Sequence, residues 1–261
     1  MKVITLLNEK GGVGKTTLAT TLAAGLAIRG YRVMLMDTDM QANATIAFGL
    51  TKEPCFYDFI KRGSALPTVI RRIAEERIYS EPIPGMMYVM PGNDENMHLP
   101  NSVSDAEVVL KAVRPLEDVV DYIIFDTSPS QTLFHVAVYI ATDYILYPTH
   151  LEEWSIHGVM EAWQRRIAAN AVRNGYHMKA IEVVGIQPVA TNMQTVLHQE
   201  KYEGLRHQFG DKVLAPIAKR SAWAEAAAMG MSIFAYDPTS KAATEAWQIV
   251  NAVEAMEVSY D

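Results

Sequence analysis

Short apolar runs alternate with longer segments of helical periodicity along most of the 261 residues. The runs are rich in Val, Ile, Leu and Met, and the segments between them repeat apolar residues at helical spacing. This alternation predicts an α/β fold, with a mostly parallel, twisted sheet and helices on both faces. The predicted strands are 2–7, 32–36, 87–90, 122–125, 144–147 and 181–186, and the predicted helices are 16–29, 152–174, 195–209 and 241–256.

Loops that directly follow strands are where a fold of this kind carries its chemistry. Ligands bind at the carboxyl ends of the strands of a parallel sheet, because the loops there converge on one crevice. Three such loops carry glycines, lysines or aspartates, at residues 8–17, 37–45 and 126–130. The candidate chemistry of the chain is therefore concentrated in these three loops.

The first loop, residues 8–17, reads Asn-Glu-Lys-Gly-Gly-Val-Gly-Lys-Thr-Thr and leads into a predicted helix. Glycines let backbone N–H groups turn toward phosphate oxygens, and the N-terminus of a helix adds free donors. In such a loop Lys15 reaches the terminal phosphates and the Thr16 hydroxyl ligates Mg²⁺. The strict G-x-x-x-x-G-K-T spacing is not met, because Glu9 replaces the first glycine and Lys10 precedes a Gly-Gly pair. The alternative is a glycine-rich turn that binds nothing.

Carboxylates end two further strands. Asp37 and Asp39 are separated by one residue, so one can hold the Mg²⁺ shell while the other orients the attacking water. The alternative is that they are strand-end polar residues and helix caps. Asp126 ends another apolar strand, where a carboxylate can accept a hydrogen bond from a Mg²⁺-bound water beside Thr16.

The net charge argues against a protein coated in basic residues, but the bases are unevenly distributed. Lys and Arg total 23 and Asp and Glu total 30, giving a formal charge of −7. Residues 161–220 nevertheless hold 9 bases and 5 acids, whereas residues 221–261 hold 1 base and 6 acids. This basic block can hold DNA phosphates without reading sequence, or it can be an ordinary solvated face. Its members are Arg165, Arg166, Arg173, Lys179, Lys201, Arg206, Lys212, Lys219 and Arg220.

Cysteine content and hydropathy exclude several classes of protein. Cys55 is the single cysteine, so an intrachain disulfide and a cysteine cluster for zinc or iron–sulfur within one chain are excluded. The apolar run at the N-terminus is too short for a signal peptide. No run approaches the roughly 20 apolar residues of a transmembrane helix. We expect a cytoplasmic protein that does not span a membrane.

All three loops resemble motifs of one family, the ParA/MinD class of ATPases with a deviant P-loop. The second loop resembles its Asp-x-Asp-Pro-Gln-x-Asn-Ala-Thr switch, with Met40 in place of proline, and the third resembles its Asp-x-x-Pro-Ser motif through Asp126, Pro129 and Ser130. The resemblance covers nearly the whole chain and implies a single P-loop NTPase domain over residues 1–261. The first loop matches the deviant P-loop, and its implied nucleotide-binding residues are Lys10, Gly11, Gly12, Val13, Gly14, Lys15, Thr16 and Thr17.

The resemblance also implies an activity and roles for individual residues. The family hydrolyses ATP with Mg²⁺ and forms a sandwich homodimer with two ATP molecules between the subunits. Carried over, Lys10 reaches the partner subunit's nucleotide, Asp39 positions water, and these two act in catalysis together with Lys15. Thr16, Asp37 and Asp126 are the residues implied at the metal. Adenine contacts are expected from the loops after residue 186 and near residue 216.

Partition ATPases of this class bind nonspecific DNA as ATP dimers through basic residues of the C-terminal half, which singles out Lys219 and Arg220 here. The implied function is a nucleoid-associated switch that segregates a plasmid, a chromosome or another cargo with a ParB-like partner. A MinD-like membrane-cycling ATPase is the alternative, although the acidic C-terminus should be repelled by anionic lipid. A P-loop synthetase or kinase acting on a small molecule and a non-catalytic DNA-bound adaptor are further alternatives.

Overall fold

The computed structural model describes residues 1–129 and 132–258, with the last two of these described for their backbone only. One sheet runs through the described residues, and its strand order is 3-4-2-5-1-6-7 in chain numbering. The strands are β1 (Lys2–Leu6), β2 (Arg32–Asp37), β3 (Arg71–Arg72), β4 (Met86–Met90), β5 (Tyr122–Asp126), β6 (Tyr144–Thr149) and β7 (Glu182–Pro188).

Pairing in the sheet is parallel except at one edge, where the two-residue β3 runs antiparallel to β4. The central strands are buried on both sides, in keeping with their continuous runs of Val, Ile, Leu and Met. Asp126 at the end of β5 is in register with Leu6 of β1 on one side and Asp37 of β2 on the other. The loops after these three strands therefore start side by side.

Helices cover both faces of the sheet, and the apolar core is divided accordingly. The longest are α1 (Lys15–Ile28), α8 (Glu153–Gly175), α9 (Val196–Phe209) and α12 (Lys241–Val258). The others are α2 (Asn43–Ala47), α3 (Leu66–Val69), α4 (Glu75–Ile78), α5 (Leu99–Ser102), α6 (Val108–Val113), α7 (Leu133–Ala141), α10 (Ala222–Ala228) and α11 (Ile233–Tyr236). Apolar residues of α1, α10, α11 and α12 pack on one face, and those of α5 to α9 pack on the other.

The predicted α/β fold is confirmed, and every predicted strand and helix is present with ends shifted by no more than two residues. The antiparallel edge strand β3 and the helices α2 to α7, α10 and α11 have no counterpart among the predicted elements. The sequence of α7 is Leu-Phe-His-Val-Ala-Val-Tyr-Ile-Ala, and most of its residues are buried. A helix buried on most sides shows no polar face, so it has no helical period to read. Within 1–129 and 132–258, no helix is both long and apolar enough to cross a bilayer.

Candidate nucleotide-binding site

The loop between β1 and α1 has the backbone of a phosphate cradle. Gly14 caps α1 with a φ of 83°, in the left-handed region that favours glycine. A Cβ at Gly14 would also lie 3.3 Å from Cγ2 of Val189 in the loop after β7. Gly12 has a φ of 75°, and no described atom would lie within 4 Å of a Cβ there. The loop is thus closely packed against Val189 at Gly14, and it has open space beside Gly12.

Lys15 lies under this loop rather than in solvent. Its side chain is buried, and Nζ donates to the carbonyl oxygens of Asn8 and Lys10, each at 3.0 Å. Burial lowers the pKa of Lys15, and this effect is opposed by the carboxylates of Asp126 and Asp39 and by Glu9. The ammonium group is therefore held in place at the centre of the loop by carbonyl dipoles and nearby acids.

Asn8 attaches the loop to the end of β6 and to the first turn of α8. Its Nδ2 donates to the carbonyl oxygens of Pro148 at 2.7 Å and Ser155 at 3.2 Å, and its Oδ1 accepts from the backbone N–H of Lys10 at 2.8 Å. A Cβ on Gly158 would come within 2.3 Å of that Oδ1, so only glycine permits this close contact. The backbone of Lys10 is thereby fixed.

A second contact joins the same loop to α8. Glu9, which replaces the first glycine of the strict phosphate-loop pattern, pairs with Arg165 at 3.1 Å. The side chain of Lys10 is exposed, beyond this anchored backbone. The two departures from the strict pattern therefore have different structural consequences. Glu9 binds the loop to the fold, and Lys10 faces outward.

Asp37 and Asp39 face in different directions. Asp37 is fully buried, and its Oδ2 accepts from the backbone N–H of Thr45 at 2.8 Å and from the Thr45 hydroxyl at 2.7 Å. Its Oδ1 accepts from the backbone N–H of Asp39 at 3.3 Å. Burial raises the pKa of Asp37 to about 6, although the Thr45 hydrogen bonds oppose the rise. Asp39 is partly exposed and lines the adjoining cleft.

Asp126 is a buried carboxylate without a hydrogen-bond partner in the described ranges 1–129 and 132–258. Burial and the neighbouring Asp37 raise its pKa well above the ordinary value of 3.8. The Thr16 hydroxyl opposes this rise from nearby, without the geometry of a hydrogen bond. A buried carboxylate with free oxygens next to a hydroxyl is a donor set that suits Mg²⁺, which prefers oxygen ligands and retains water.

The three loops open into one cleft of about 1000 Å³. The predicted residues that line it are Gly11, Gly12, Gly14, Lys15, Thr16, Thr17 and Asp39. One wall is apolar and is formed by residues of α2, α10 and α11 and by Phe48 at the end of α2; the helical residues are Ile46, Ala47, Trp223, Ala226, Ala227, Ala228 and Ile233. Ser130, part of the third motif, lies outside the described residues. The structure thus brings the phosphate loop, Lys15, Thr16 and Asp39 together along one apolar-walled cleft, whereas Lys10, Val13, Asp37 and Asp126 do not line it.

His135 also lines this cleft, and no motif in the sequence singled it out. Its Nε2 lies 3.2 Å from the carbonyl oxygen of Ser128, and its Nδ1 lies 2.9 Å from the Thr132 hydroxyl. Burial lowers the pKa of His135 to about 4, so the ring is neutral at pH 7. In the sequence it interrupts an apolar run, which is the one signal that could have marked it.

The two segments expected to contact adenine run next to each other beside the phosphate loop. The backbone N–H of Leu214 donates to the carbonyl oxygen of Ile186 at 2.9 Å, and that of Ile217 donates to Pro188 at 2.8 Å. Val189 follows directly and approaches Gly14, as described above. The adenine contacts themselves stay a prediction.

Most members of the basic block contact other residues of the chain. Lys219 is exposed, but Arg220 is only partly exposed and pairs with Glu245 of α12 at 2.7 Å. Neither residue lines the cleft. Five other members are held by contacts inside the chain: Arg165 with Glu9, Arg166 with the carbonyl oxygen of Ile181, Arg173 with that of Lys179, Lys201 with Glu153, and Lys212 with the carbonyl oxygen of Val183.

The chain is similar to known proteins over most of its length. The AAA domain family matches residues 1–174. The chain is 30% identical to the sporulation initiation inhibitor protein Soj of Bacillus subtilis, covering 93% of this chain and 94% of that protein. It is also 30% identical to the chromosome-partitioning ATPase Soj of Thermus thermophilus, covering 92% of this chain and 90% of that one. The ATP complex of Cyanothece McdA superposes with a TM-score of 0.80 at 17% identity, covering 98% of this chain and 96% of that one.

Proposed function

The chain belongs to the ParA/MinD class of partition ATPases, and we propose that it hydrolyses ATP as a switch that segregates a cargo on DNA. The observation that carries the proposal is Asp126. A buried carboxylate with both oxygens unpaired, within the described residues, costs folding free energy unless a ligand compensates it. Its position beside the phosphate loop makes a nucleotide with Mg²⁺ the ligand that fits.

In this proposal the loop residues divide the work on the nucleotide. Backbone N–H groups of residues 11–17 and the Lys15 ammonium bind the phosphates, and Thr16 and Asp126 hold Mg²⁺. Bound Mg²⁺ neutralises charge on the phosphate oxygens. Asp39 accepts a hydrogen bond from the attacking water and orients it. Asp37 lies at the metal side of the site, but both of its oxygens accept hydrogen bonds from its own loop.

We propose that the active unit is an ATP-dependent homodimer in which Lys10 reaches the nucleotide of the partner subunit. The exposed side chain on an anchored backbone supports this role, because such a lysine can reach outward without disturbing the loop. Hydrolysis should then be slow in the isolated protein, since the site is completed only by the second subunit and by a stimulating partner. That partner would be a ParB-like protein bound to the cargo.

Nonspecific DNA is the proposed surface on which the dimer acts, and Lys219 is the residue we assign to it first. Lys219 is exposed, whereas Arg220 is engaged with Glu245 and has less freedom to contact phosphate. The name of the Thermus relative, a chromosome-partitioning ATPase, supports a function that involves DNA. We accordingly propose a nucleoid-associated location for the ATP-bound form.

The test of the dimer and of its ATPase cycle uses three variants. Asp39→Ala should hydrolyse ATP at least about a hundredfold more slowly and accumulate as an ATP dimer on gel filtration. Adding Lys10→Ala to that variant should return it to a monomer in ATP, whereas adding Lys52→Ala, at an exposed lysine outside the cleft, should leave the dimer intact.

Normal turnover by Asp39→Ala would refute the catalytic assignment, and an intact ATP dimer with Lys10→Ala would refute the cross-subunit role. Co-sedimentation of the ATP form with anionic liposomes would instead favour a MinD-like membrane cycle.

A further inference from the structure

Thr45 makes three buried hydrogen bonds at the junction of three elements. Its backbone N–H and its hydroxyl both donate to Oδ2 of Asp37, and its hydroxyl oxygen accepts from the backbone N–H of Gly92 at 2.9 Å. The side chain is fully buried, so water cannot replace any of these bonds. Thr45 therefore joins the end of β2, the helix α2 and the loop after β4.

The same network reaches Asp39 through the carboxylate of Asp37. While Oδ2 of Asp37 is held by Thr45, its Oδ1 accepts from the backbone N–H of Asp39. The turn is closed by the backbone N–H of Ala42, which donates to the carbonyl oxygen of Asp39 at 3.0 Å. The Asp39 carboxylate itself accepts from the backbone N–H of Gln41 at 3.0 Å, and the turn that carries both residues is supported by Asp37, which Thr45 holds.

The other attachments of this region leave little room for relaxation. A Cβ at Gly92 would lie 2.7 Å from the carbonyl oxygen of Asp37, so the loop after β4 is packed directly on the end of β2. At the far end of α2, the guanidinium of Arg77 donates to the carbonyl oxygen of Phe48. Since α2 is held at both ends, it cannot move to compensate for the loss of the Thr45 hydrogen bonds. We therefore expect that loss to displace the turn that carries Asp39.

We propose that Thr45 is a positioning residue for ATP hydrolysis, which holds the Asp37 carboxylate and through it sets the place of Asp39. This inference rests on the proposed ATPase function. Thr45 does not line the cleft, so it acts through Asp37 and Asp39 and not on the nucleotide. It predicts that removal of one buried hydroxyl slows the chemical step while nucleotide binding is retained.

Two substitutions separate the hydroxyl from the shape of the side chain. Thr45→Val keeps the volume of the side chain and the backbone hydrogen bond but removes the hydroxyl. The Gly92 N–H then has no acceptor, and Asp37 loses one of its hydrogen bonds. We expect kcat to fall about tenfold or more, the size expected for a lost hydrogen bond to a buried charge. ATP affinity, measured with a fluorescent ATP analogue, should change by no more than about twofold, and Thr45→Ser should restore most of kcat.

Thr142→Val is the matched control for a merely structural effect. Thr142 is also fully buried, and its hydroxyl also makes two hydrogen bonds, at 2.7 Å to the Thr5 hydroxyl and at 2.7 Å to the carbonyl oxygen of Val138. It lies outside the cleft lining, so its loss should lower the melting temperature but leave kcat unchanged. Equal losses of kcat in Thr45→Val and Thr142→Val would overturn the proposal, as would a normal kcat in Thr45→Val.

A second measurement does not depend on ATP hydrolysis. In the nucleotide-free protein, amide hydrogen exchange of residues 38–47 and of Gly92 should be faster in Thr45→Val than in Thr45→Ser, with α12 unchanged in both. If the wild-type protein hydrolyses no ATP, the proposed function fails, and this exchange pattern still tests the Thr45 support. Exchange that is the same in Val and Ser variants would contradict the inference even if the ATPase activity is confirmed.

Discussion

Asp126 and the basic block are both marked as functional by the sequence, but they differ in whether the fold gives their charged groups a partner. At the ends of β2 and β5, the carboxylates of Asp37 and Asp126 are fully buried behind the cleft lining, and Asp126 has no hydrogen-bond partner within residues 1–129 and 132–258. In the basic block, most charges are paired or hydrogen-bonded inside the chain, as Lys201 is with Glu153 and Arg220 with Glu245. The fold therefore supplies partners to Asp37, Lys15 and most of the basic block, but supplies no hydrogen bond to the Asp126 oxygens within the described residues.

The difference shows where a charge indicates a ligand and where it serves the fold. An unpaired buried carboxylate destabilises the folded chain, so its presence points to something that binds there. A paired arginine or lysine on the surface attaches one helix to its neighbour and contributes little else. Counting charges along the chain cannot separate the two cases, because the partners of Lys201 and Arg220 are distant in sequence.

Among the substitutions that test the difference between Asp126 and the basic block, Asp126→Asn should have the largest effect. Mg²⁺-dependent ATP turnover should fall by about a hundredfold or more, because the metal-side carboxylate is lost. The free energy of unfolding of the nucleotide-free protein should instead rise, by about 1–3 kcal/mol at a pH where Asp126 is ionised, because a buried carboxylate without a hydrogen-bond partner is removed. Turnover at increasing Mg²⁺ concentrations and thermal unfolding without nucleotide measure the two effects.

The direction in which the free energy of unfolding changes with pH can also be checked. The pKa of Asp126 is higher in the folded protein than its ordinary value of 3.8, so the folded state holds the proton more tightly. The free energy of stabilisation contributed by this group is fully present below pH 3.8, the ordinary pKa, and is lost as the pH rises through the higher pKa of the folded state. In Asp126→Asn, the free energy of unfolding should not show this loss as the pH rises. A variant that is less stable than the wild type without nucleotide would contradict this account.

Asp121→Asn is the matched control, since Asp121 directly precedes the strand that Asp126 ends. Asp121 is partly exposed and pairs with Arg32 at 2.7 Å, and the pair holds the pKa of Asp121 below its usual range. Its loss should lower stability by at most about 1 kcal/mol and leave ATP turnover unchanged.

A smaller effect is expected from single lysines of the basic block. Lys219→Ala should weaken binding of nonspecific DNA severalfold and reduce the salt dependence by about one phosphate contact. Lys201→Ala removes the same charge from the same block, but from a residue already paired with Glu153, and should change DNA affinity much less. Equal losses in the two variants, measured by fluorescence anisotropy at two salt concentrations, would mean that only the total charge matters.

The smallest effect is expected at Arg220, which the sequence placed beside Lys219 as an equal candidate. Because Arg220 pairs with the largely buried Glu245, its replacement by alanine should lower the free energy of unfolding by about 1 kcal/mol. DNA affinity should fall less than in Lys219→Ala. A larger loss of DNA affinity in Arg220→Ala, without loss of stability, would show that the pair opens when DNA binds.

The fold and the core of the site were predictable because both depend on local patterns. Buried strands followed by glycines or aspartates indicate a parallel sheet and a site at its edge, and Gly14, Lys15 and Asp126 lie where that reasoning put them. The support of the site was not predictable. Thr45 meets Gly92, and Asn8 meets Ser155, across many residues of chain, and such contacts depend on tertiary packing. His135 escaped notice because α7 has no polar face to mark it as a helix.

The central claim, an ATP-dependent switch that acts on DNA, is tested most directly by the Asp39→Ala protein. Its binding to a nonspecific DNA duplex should be measured with ATP, with ADP and without nucleotide, each at two salt concentrations. The account predicts binding with ATP alone, weakened at the higher salt concentration because phosphate contacts release counterions. Binding that is the same with and without ATP, or no binding under any of these conditions, would contradict it.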